Sequence, residues 1–411
     1  MGDESKSTGV SSSFGQRNIS DEKLKGLSPL VRAVLWRRSF RVYDGRPVSS
    51  DVLDRIEQAA CHAPSVFGAR SGWVELIRDP KRVRDLLLAI TGGVVGKGNW
   101  WIRSAQPAAF LVALGDEATS LRIGDRWMYN VDIALAGEAA VLAAAAEGVG
   151  SCWMAAIDER KLCHQLGLSP TGRIPAVIAL GYPRSTAARN LAGMWDRLAH
   201  RLVSSRRKPP EAIHFLEQTD SSTKLAPVHL EDERLQGRGK SIQDLVADLV
   251  PSRTLDGTSI DDRILSWLLE TVRQAPTADN SQIWRLLFLR KPERIREVLD
   301  AAADGRDDLA ALSESHPGAL VVAAATKFFI SHRTAEQPFY LIDVPIGLMH
   351  LLLAARDFDL SFNVLWDFND AAVSNCAGLG DHRIVALILL GTEGEMGGSE
   401  PWVQLRRGHA G

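Results

Sequence analysis

The chain has 411 residues, of which 45% are hydrophobic and 24% charged, and its formal net charge at pH 7 is −2. This length is enough for two domains with complete cores. The balanced charge gives no support for a nucleic-acid partner, because counterion release needs an excess of positive charge. The four cysteines form no C-x-x-C pair and stand at no metal-ligand spacing with histidine. They predict reduced, mostly buried thiols in a cytoplasmic protein without a metal site.

The polar, serine-rich start of the chain predicts a disordered tail over residues 1–20 and shows no secretory signal. The two most apolar runs, residues 133–146 and 344–355, are shorter than a membrane span. They also contain Glu138 and His350. These runs therefore predict core helices, with no membrane partner.

In chain order, the first periodic segment is residues 20–36, whose apolar spacing predicts a helix. A second helix starts at Ser49 or Ser50, the expected cap residues. A glycine-rich loop over residues 92–98 lacks the Gly-Lys-Ser/Thr ending of a phosphate loop, which favours a mobile lid. The remaining pattern predicts strands at 73–77, 108–114, 148–154 and 174–180, a basic helix at 80–90 and an alanine-rich helix at 132–147.

The same order of landmarks then recurs. Residues 63–65 (Ala-Pro-Ser) are echoed by 275–277 (Ala-Pro-Thr) at an offset of 212. Trp73 matches Trp284 and Asp132 matches Asp343 at 211, and residues 174–181 match 384–391 at 210. This steady offset favours a duplicated domain over two unrelated α/β halves. The predicted boundaries are 21–217 for the first domain, 218–240 for a linker and 241–411 for the second domain.

Residues 37–41 read Arg-Arg-Ser-Phe-Arg, a dense cluster of guanidinium donors. Such donors suit phosphate oxygens. Taken alone, the cluster fits a solvated basic turn better than an anion site.

With these motifs in place, the chain resembles the FMN-dependent nitroreductase family, twice over. The first half carries the basic cluster at 37–41, the Asp132 helix, the segment 148–153 (Gly-Val-Gly-Ser-Cys-Trp) and a late basic segment at 206–209. The second carries residues 275–284, which follow the A-P-S-x-x-N-x-Q-P-W stretch of the family. The resemblance implies an α+β fold with two tandem nitroreductase-like domains that form a pseudo-homodimer within one chain. It also implies that each FMN is held by both halves.

The two implied flavin sites differ in what they retain. In the first half, Gly68 replaces the Asn of that stretch, Arg70 replaces the Gln, and one extra residue is expected before Trp73. In the second half only Arg253 survives from the basic cluster, and Trp366 stands near the position equivalent to Ala155. One site therefore looks complete and the other broken, which predicts one FMN per chain.

The resemblance assigns the intact cofactor site to residues of both halves. A backbone N–H near Ala155 and Ala156 would face the flavin, Asn280 would bind the ring edge, and a catalytic acid or base is not evident. The cofactor-binding residues are Arg37, Arg38, Ser39, Arg41, Ala155, Ala156, Arg206, Lys208, Pro276, Thr277, Ala278 and Asn280. Trp100, Trp101 and Tyr129 are candidates for a substrate pocket, or core aromatics.

The resulting prediction is an FMN-dependent oxidoreductase that acts on a small molecule, with NADH or NADPH as a possible reductant. An azoline-type dehydrogenase is an alternative reaction class, and Gly68 fits the glycine-bearing form of the stretch there. An FMN-binding or FMN-storing protein with little turnover is a further alternative. The expected assembly is a monomeric pseudo-dimer, with higher oligomers open.

Overall fold

The computed structural model describes ten segments of the chain. The predicted tail, the glycine-rich loop and most of the predicted linker lie outside them. The described residues are 26–91, 101–184, 207–209, 212–216, 228–229, 232–252, 255–305, 317–326, 338–380 and 382–393. We call the described residues up to Leu216 half one, and those from Ser241 onward half two.

Half one contains every helix and strand that the sequence predicts in its described part. Ser28 caps the first helix with its Oγ, which accepts from the Val31 N–H at 3.1 Å, whereas the Ser49 side chain makes no capping bond. The elements are α1 Pro29–Trp36, α2 Ser50–His62, β1 Gly72–Ile77, α3 Pro80–Thr91, β2 Ala109–Asp116, β3 Arg122–Ile123, β4 Arg126–Trp127, α4 Tyr129–Ala146, β5 Gly150–Met154, α5 Glu159–Gln165, β6 Gly172–Gly181 and β7 His214–Leu216.

Half two repeats this series with the same order and nearly the same lengths. Its elements are α6 Ile242–Ala247, β8 Leu255–Asp256, α7 Asp262–Gln274, β9 Trp284–Leu289, α8 Pro292–Ala303, β10 Ala319–Thr326, α9 Tyr340–Asp357, β11 Ser361–Leu365, α10 Asp370–Cys376 and β12 His382–Glu393. α6 starts 213 residues after α1, and each later pair of equivalent helices and sheet strands starts 210 to 212 residues apart. Among the described residues, β3, β4 and β7 have no counterpart in half two. This repeated order supports the predicted duplication.

Each half is built on an antiparallel sheet. Half one has the strand order β1-β2-β6-β5, and half two has the equivalent order β9-β10-β12-β11. β7 of half one joins the outer edge of β9, with which it pairs in parallel. A strand of half one therefore completes the sheet of half two.

Trp73 and Trp284 are not equivalent, contrary to the sequence prediction. Gly72 pairs with Gly115, whereas Trp284 pairs with Ala325, so Gly72 holds the position of Trp284. Because side chains alternate along a strand, this one-residue difference reverses the face. Trp284 is 0% exposed and Trp73 is 46% exposed. The stretch 63–72 is therefore as long as its counterpart 275–284. The extra residue expected before Trp73 is not an insertion, because Gly72 and not Trp73 corresponds to Trp284.

The halves share one hydrophobic core. α4 packs on α9, and a single buried cluster includes Leu142 of α4 and Leu348 of α9. Among the described helices, α4 alone is apolar and long enough to cross a membrane, and 94% of it is buried. A helix that is apolar on all sides is expected at such a buried position.

All four cysteines are free thiols, as predicted. The expectation that most are buried is wrong, since Cys152 alone is fully buried and Cys61 is exposed. In the described ranges, no group of three His, Cys, Asp or Glu side chains is arranged to hold a metal ion.

Candidate functional site

The basic cluster at 37–41 follows α1 and runs beside β5. Ser39 pairs with Ser151, and the Phe40 N–H donates to the Ser151 carbonyl at 2.9 Å. The Arg38 guanidinium lies 4.5 Å from the centroid of the Phe40 ring. These contacts fix the predicted cluster against the strand that leads to Ala155.

Arg41 is the half-buried cation of this cluster. Its Nη1 donates to the Ser39 carbonyl at 3.5 Å, and its guanidinium lies 6.0 Å from the Trp101 ring centroid. In the described part of the chain it has no carboxylate partner. No carboxylate of the described residues therefore neutralises its charge, and the structure brings together one predicted cofactor residue and one predicted pocket residue.

Arg37 is placed differently from an exposed anion ligand. Its side chain is 3% exposed, and its Nη2 donates to the Gln274 carbonyl at the end of α7. Burial lowers the pKa of this guanidinium, against the opposing effect of Glu138. Arg37 thus joins half one to half two directly beside the residues predicted to hold the flavin.

The late basic segment of half one binds the same stretch of half two. Arg207 donates to the Gln274 carbonyl at 2.9 Å and to the Ala275 carbonyl at 2.8 Å. Lys208 Nζ donates to the Ser281 carbonyl at 3.1 Å, and the Lys208 N–H donates to Gln282 Oε1 at 2.8 Å. Arg206 lies outside the described residues.

Residues 275–282 of half two therefore lie between basic side chains of half one. Sequence reasoning missed Arg207 and Gln282 as site residues. Both could have been found from the sequence, because Arg207 lies in the late basic segment at 206–209 and Gln282 lies in the stretch 275–284.

The predicted flavin-contacting stretch of half two forms a tight turn. Its residues 278–280 make a short 3₁₀ turn, with φ of 49° at Asp279 and 55° at Asn280. Asp and Asn tolerate such positive φ better than most residues. In half one, Phe67 and Gly68 adopt the same conformation, with φ of 51° and 69°. This confirms that Gly68 stands where half two has Asn280.

A buried aspartate under each turn fixes its backbone. Asp132 accepts from the N–H groups of Val66 and Ser71 at 2.7 and 2.9 Å. Asp343 accepts from the Ala278 N–H at 3.0 Å. Burial raises the pKa of Asp343 to about 7, opposed by the Ala278 N–H and assisted by the nearby Asp279. Asp343 is a further site residue whose role the sequence did not reveal.

The strand end at Ala155 meets the half-two turn. Ala155 and Ala278 both pack on a buried cluster formed by Ala134, Ala275, Phe339, Ile342 and Ile346, together with Trp153. The predicted Ala155–Ala156 backbone, the turn at 277–280, and the basic segments are thus assembled at one interface between the halves.

The predicted pocket aromatics separate in the structure. Tyr129 is 1% exposed, and its ring lies so close to Gly115 that a Cβ there would fall 2.3 Å from it. This is the position of a core aromatic and not of a pocket lining. Trp100 lies outside the described residues, and Trp101 is half-buried.

The equivalent interface on the other side keeps the backbone hydrogen bond, and the described positions equivalent to Arg37 and Arg38 carry apolar side chains. The Ser252 N–H donates to the Phe362 carbonyl at 2.8 Å, which matches the Phe40–Ser151 bond. This equivalence places Leu249 and Val250 at the positions of Arg37 and Arg38. Leu249 is buried, and Val250 is 65% exposed.

A side chain of half one enters this second interface. Arg126 donates to the carbonyls of Trp366 and Ile384 at 3.3 and 3.2 Å, and its guanidinium lies 5.7 Å from the Phe368 ring centroid. Trp366 is 7% exposed. It directly follows β11 as Ala155 follows β5. Arg253, the one residue of the basic cluster expected to survive at this site, lies outside the described part of the chain.

Comparison with known proteins identifies the repeated unit. The model of the nitroreductase family matches residues 34–182 and 252–392. The chain belongs to the nitroreductase family. The two matched segments coincide with the repeated elements of half one and half two.

Individual relatives of this nitroreductase-family chain correspond to about one half of it. A putative NADH dehydrogenase/NAD(P)H nitroreductase of Archaeoglobus fulgidus is 28% identical over 158 residues, covering 38% of this chain and 85% of that protein. An NADH dehydrogenase of Thermus thermophilus is 30% identical over 181 residues, covering 37% and 85%.

Solved structures include a nitroreductase family protein of Clostridium novyi NT, 24% identical, with a TM-score of 0.35, covering 39% of this chain and 88% of that one. An FMN-dependent nitroreductase of Clostridium difficile is 23% identical, with a TM-score of 0.32, covering 38% and 88%.

Proposed function

We propose that this chain is an FMN-dependent oxidoreductase that holds a single flavin between its two halves. The observation that carries the proposal is the one-sided assembly of donors. On one side, Arg37, Arg207 and Lys208 bind the backbone of residues 274–282. On the other side, Leu249, Val250 and Trp366 occupy the positions equivalent to Arg37, Arg38 and Ala155. Membership of the nitroreductase family and the names of the relatives support an oxidoreductase.

The donor set on the first side fits a flavin phosphate. Arg41 is a cation without a described carboxylate partner, and Arg38 and Lys208 add charge from the same half. Charge-assisted hydrogen bonds to phosphate are stronger than neutral ones. We assign the phosphate to Arg38, Ser39, Arg41, Arg206 and Lys208. Arg37 holds the adjoining end of α7 in place.

The ring of the flavin would lie between the halves. Pro276, Thr277, Ala278 and Asn280 supply a backbone turn of fixed conformation, and the Asn280 amide offers both a donor and an acceptor. Ala155 packs on the same buried cluster as Ala278 of this turn, which supports a place for the Ala155–Ala156 backbone beside the ring. FMN would supply the redox chemistry, and these residues would bind and orient it.

The stoichiometry of flavin tests this proposal. Purified protein is saturated with FMN and freed of excess, and bound flavin is measured by absorbance after denaturation. We expect one FMN per chain. A ratio of two would contradict the single-site proposal, and no binding would contradict the cofactor itself.

The class of reaction is tested by mixing the FMN-loaded protein with NADH or NADPH and following flavin absorbance. The names of the relatives favour rapid bleaching by one of the two nucleotides. Bleaching only by a small-molecule substrate would instead favour a dehydrogenase, and bleaching by neither would favour a flavin-binding protein. The predicted cytoplasmic location and monomeric state remain predictions.

A further inference from the structure

A buried polar cluster lies behind the candidate site, where α4 packs against α9. Glu138 is 0% exposed, and its two carboxyl oxygens bind Trp153 Nε1 at 2.9 Å and His350 Nε2 at 2.8 Å. Arg37 Nε lies 4.0 Å from the same carboxyl. One side chain therefore contacts three partners that belong to both halves.

The partners of Glu138 lead directly to the candidate site. Trp153 lies two residues before Ala155 and packs on the same cluster as Ala155 and Ala278. Arg37 begins the basic cluster and binds the Gln274 carbonyl, two residues before Pro276. A displacement of Glu138 would be transmitted to both the strand end and the half-two stretch.

The repeat shows that the fold itself does not need this polar cluster. The positions equivalent to Arg37, Glu138, Trp153 and His350 are Leu249, Met349, Val364 and Ala139, all of them apolar. Met349 and Ala139 are 0% exposed. Replacing buried ion pairs by apolar residues is often neutral or stabilising, so packing alone does not explain the charges. The polar residues occur on the side that retains the flavin-binding motifs.

The cluster also leaves two buried nitrogens without partners among the described residues. These are Arg37 Nε and His350 Nδ1. An unpaired buried donor such as Arg37 Nε costs free energy. Burial lowers the pKa of His350, against the effect of Glu138, so the imidazole is neutral and donates from Nε2. The polar cluster therefore lowers the free energy of unfolding, and it is present only at the interface with the flavin-binding motifs.

We propose that Glu138 is a positioning residue of the flavin site: it fixes Trp153 under the Ala155–Ala156 backbone and Arg37 against the end of α7. This inference rests on the proposed function, because its effect is on FMN binding. Among the described residues, Glu138 makes no hydrogen bond or ion pair with the turn at 277–280, and Arg37 is its one partner in the basic segments.

The variant Glu138→Gln tests the inference. It keeps the size of the side chain but leaves one acceptor oxygen where two are needed. In metal sites, partners that orient the ligating side chains typically contribute about 10- to 100-fold to metal affinity, and we take the lower end of that range for Glu138. We expect the Kd for FMN, measured by quenching of flavin fluorescence, to rise about tenfold.

The matched control is Asp357→Asn. Asp357, on α9, is also a buried carboxyl that bonds across to the other half, since it accepts from Ser28 Oγ at 2.6 Å. It lies at the opposite end of α9 from Asp343. We expect this variant to lower the thermal midpoint of the apoprotein and to leave the Kd for FMN unchanged. Equal changes of Kd in both variants would overturn the inference.

The double variant Glu138→Gln/Trp153→Phe separates positioning from general stability. The single variants Glu138→Gln and Trp153→Phe are measured beside it. If Glu138 acts through the Trp153 hydrogen bond, the Kd for FMN of the double variant is no higher than the larger of the two single-variant values. A Kd of the double variant that rises by the product of the two single-variant factors would overturn the inference. An unchanged Kd in Glu138→Gln would overturn it as well. Wild-type protein that binds no FMN would overturn the proposed function as well, which distinguishes the two failures.

Discussion

At the scale of single residues, the two equivalent aspartates illustrate how environment separates side chains that the sequence presents as alike. Asp132 accepts from the Val66 and Ser71 N–H groups, from Ser71 Oγ at 3.0 Å and from the Gly72 N–H at 3.3 Å. Among the described residues, Asp343 accepts hydrogen bonds from the Ala278 N–H alone. With fewer donors, the buried charge of Asp343 is less compensated, and its pKa rises to about 7.

This difference predicts a pH dependence of stability. The pKa of Asp343 is 3.8 when unperturbed and about 7 in the fold, so the folded state retains a proton that the unfolded state has lost. Its stabilising contribution is complete below pH 3.8 and is lost as pH rises through about 7. Asp343→Asn should remove this loss, which amounts to at most roughly 4 kcal/mol.

The measurement is the free energy of unfolding in urea at pH 5 and pH 8. Asp256→Asn, a change at an exposed carboxyl, serves as the control. The prediction would be contradicted if the free energy of unfolding changed equally between pH 5 and pH 8 in the wild-type protein and in Asp343→Asn.

The half-buried arginines of the basic cluster give a second residue-scale prediction. Arg38→Ala with Arg41→Ala should weaken FMN binding by at least about 100-fold, because each charge-assisted bond contributes about 1.5–3 kcal/mol. The thermal midpoint should change little, since neither side chain is buried. Arg32→Ala, an exposed arginine of α1, is the control. Unchanged FMN affinity in the double variant would contradict the phosphate assignment.

At the scale of elements, β7 is the connection that makes half two depend on half one. His214 pairs with Leu286 in parallel, and the Leu286 N–H donates to the Ile213 carbonyl at 2.9 Å. In a parallel ladder of this register, the Phe215 N–H also faces β9, whereas the His214 N–H faces away.

Proline substitutions in β7 test whether this strand pairs with β9 in the observed register. Phe215→Pro removes a ladder donor and should lower the free energy of unfolding by about 1–3 kcal/mol, whereas His214→Pro should cost markedly less. Both are measured by urea unfolding. Equal losses in the two variants would show that β7 does not hold this register.

Most elements could be predicted from the sequence because their apolar periodicity is strong and occurs twice. β7 could not, since three residues carry too little periodicity to distinguish a strand from a loop. The equivalence of Trp73 and Trp284 failed because residue identity does not reveal which face of a strand is buried. Composition also predicts an exposed Arg37, and only the packing of α7 shows why this arginine is enclosed.

At the scale of the whole molecule, the halves depend on a common core. α4 is 94% buried and packs on α9 of the other half. Each half expressed alone would expose this apolar surface to water. Residues 1–227 and 228–411 produced separately should therefore aggregate or remain poorly folded. Produced together, they should copurify and bind one FMN per pair, as checked by light scattering and flavin absorbance. Two stable, soluble separate halves would contradict this prediction.

The steady offset of 210–212 residues between equivalent elements has a consequence for how the sequence can change. In a symmetric homodimer, one codon specifies a residue in both interfaces, so a substitution that suits one site is imposed on the other. Here Glu138 and Met349 are encoded separately, as are Arg37 and Leu249. A substitution at one of these positions changes one interface and leaves the equivalent interface as it was. Such a chain can place charges beside one site and apolar side chains beside its counterpart, a combination that identical subunits in a symmetric pair do not have.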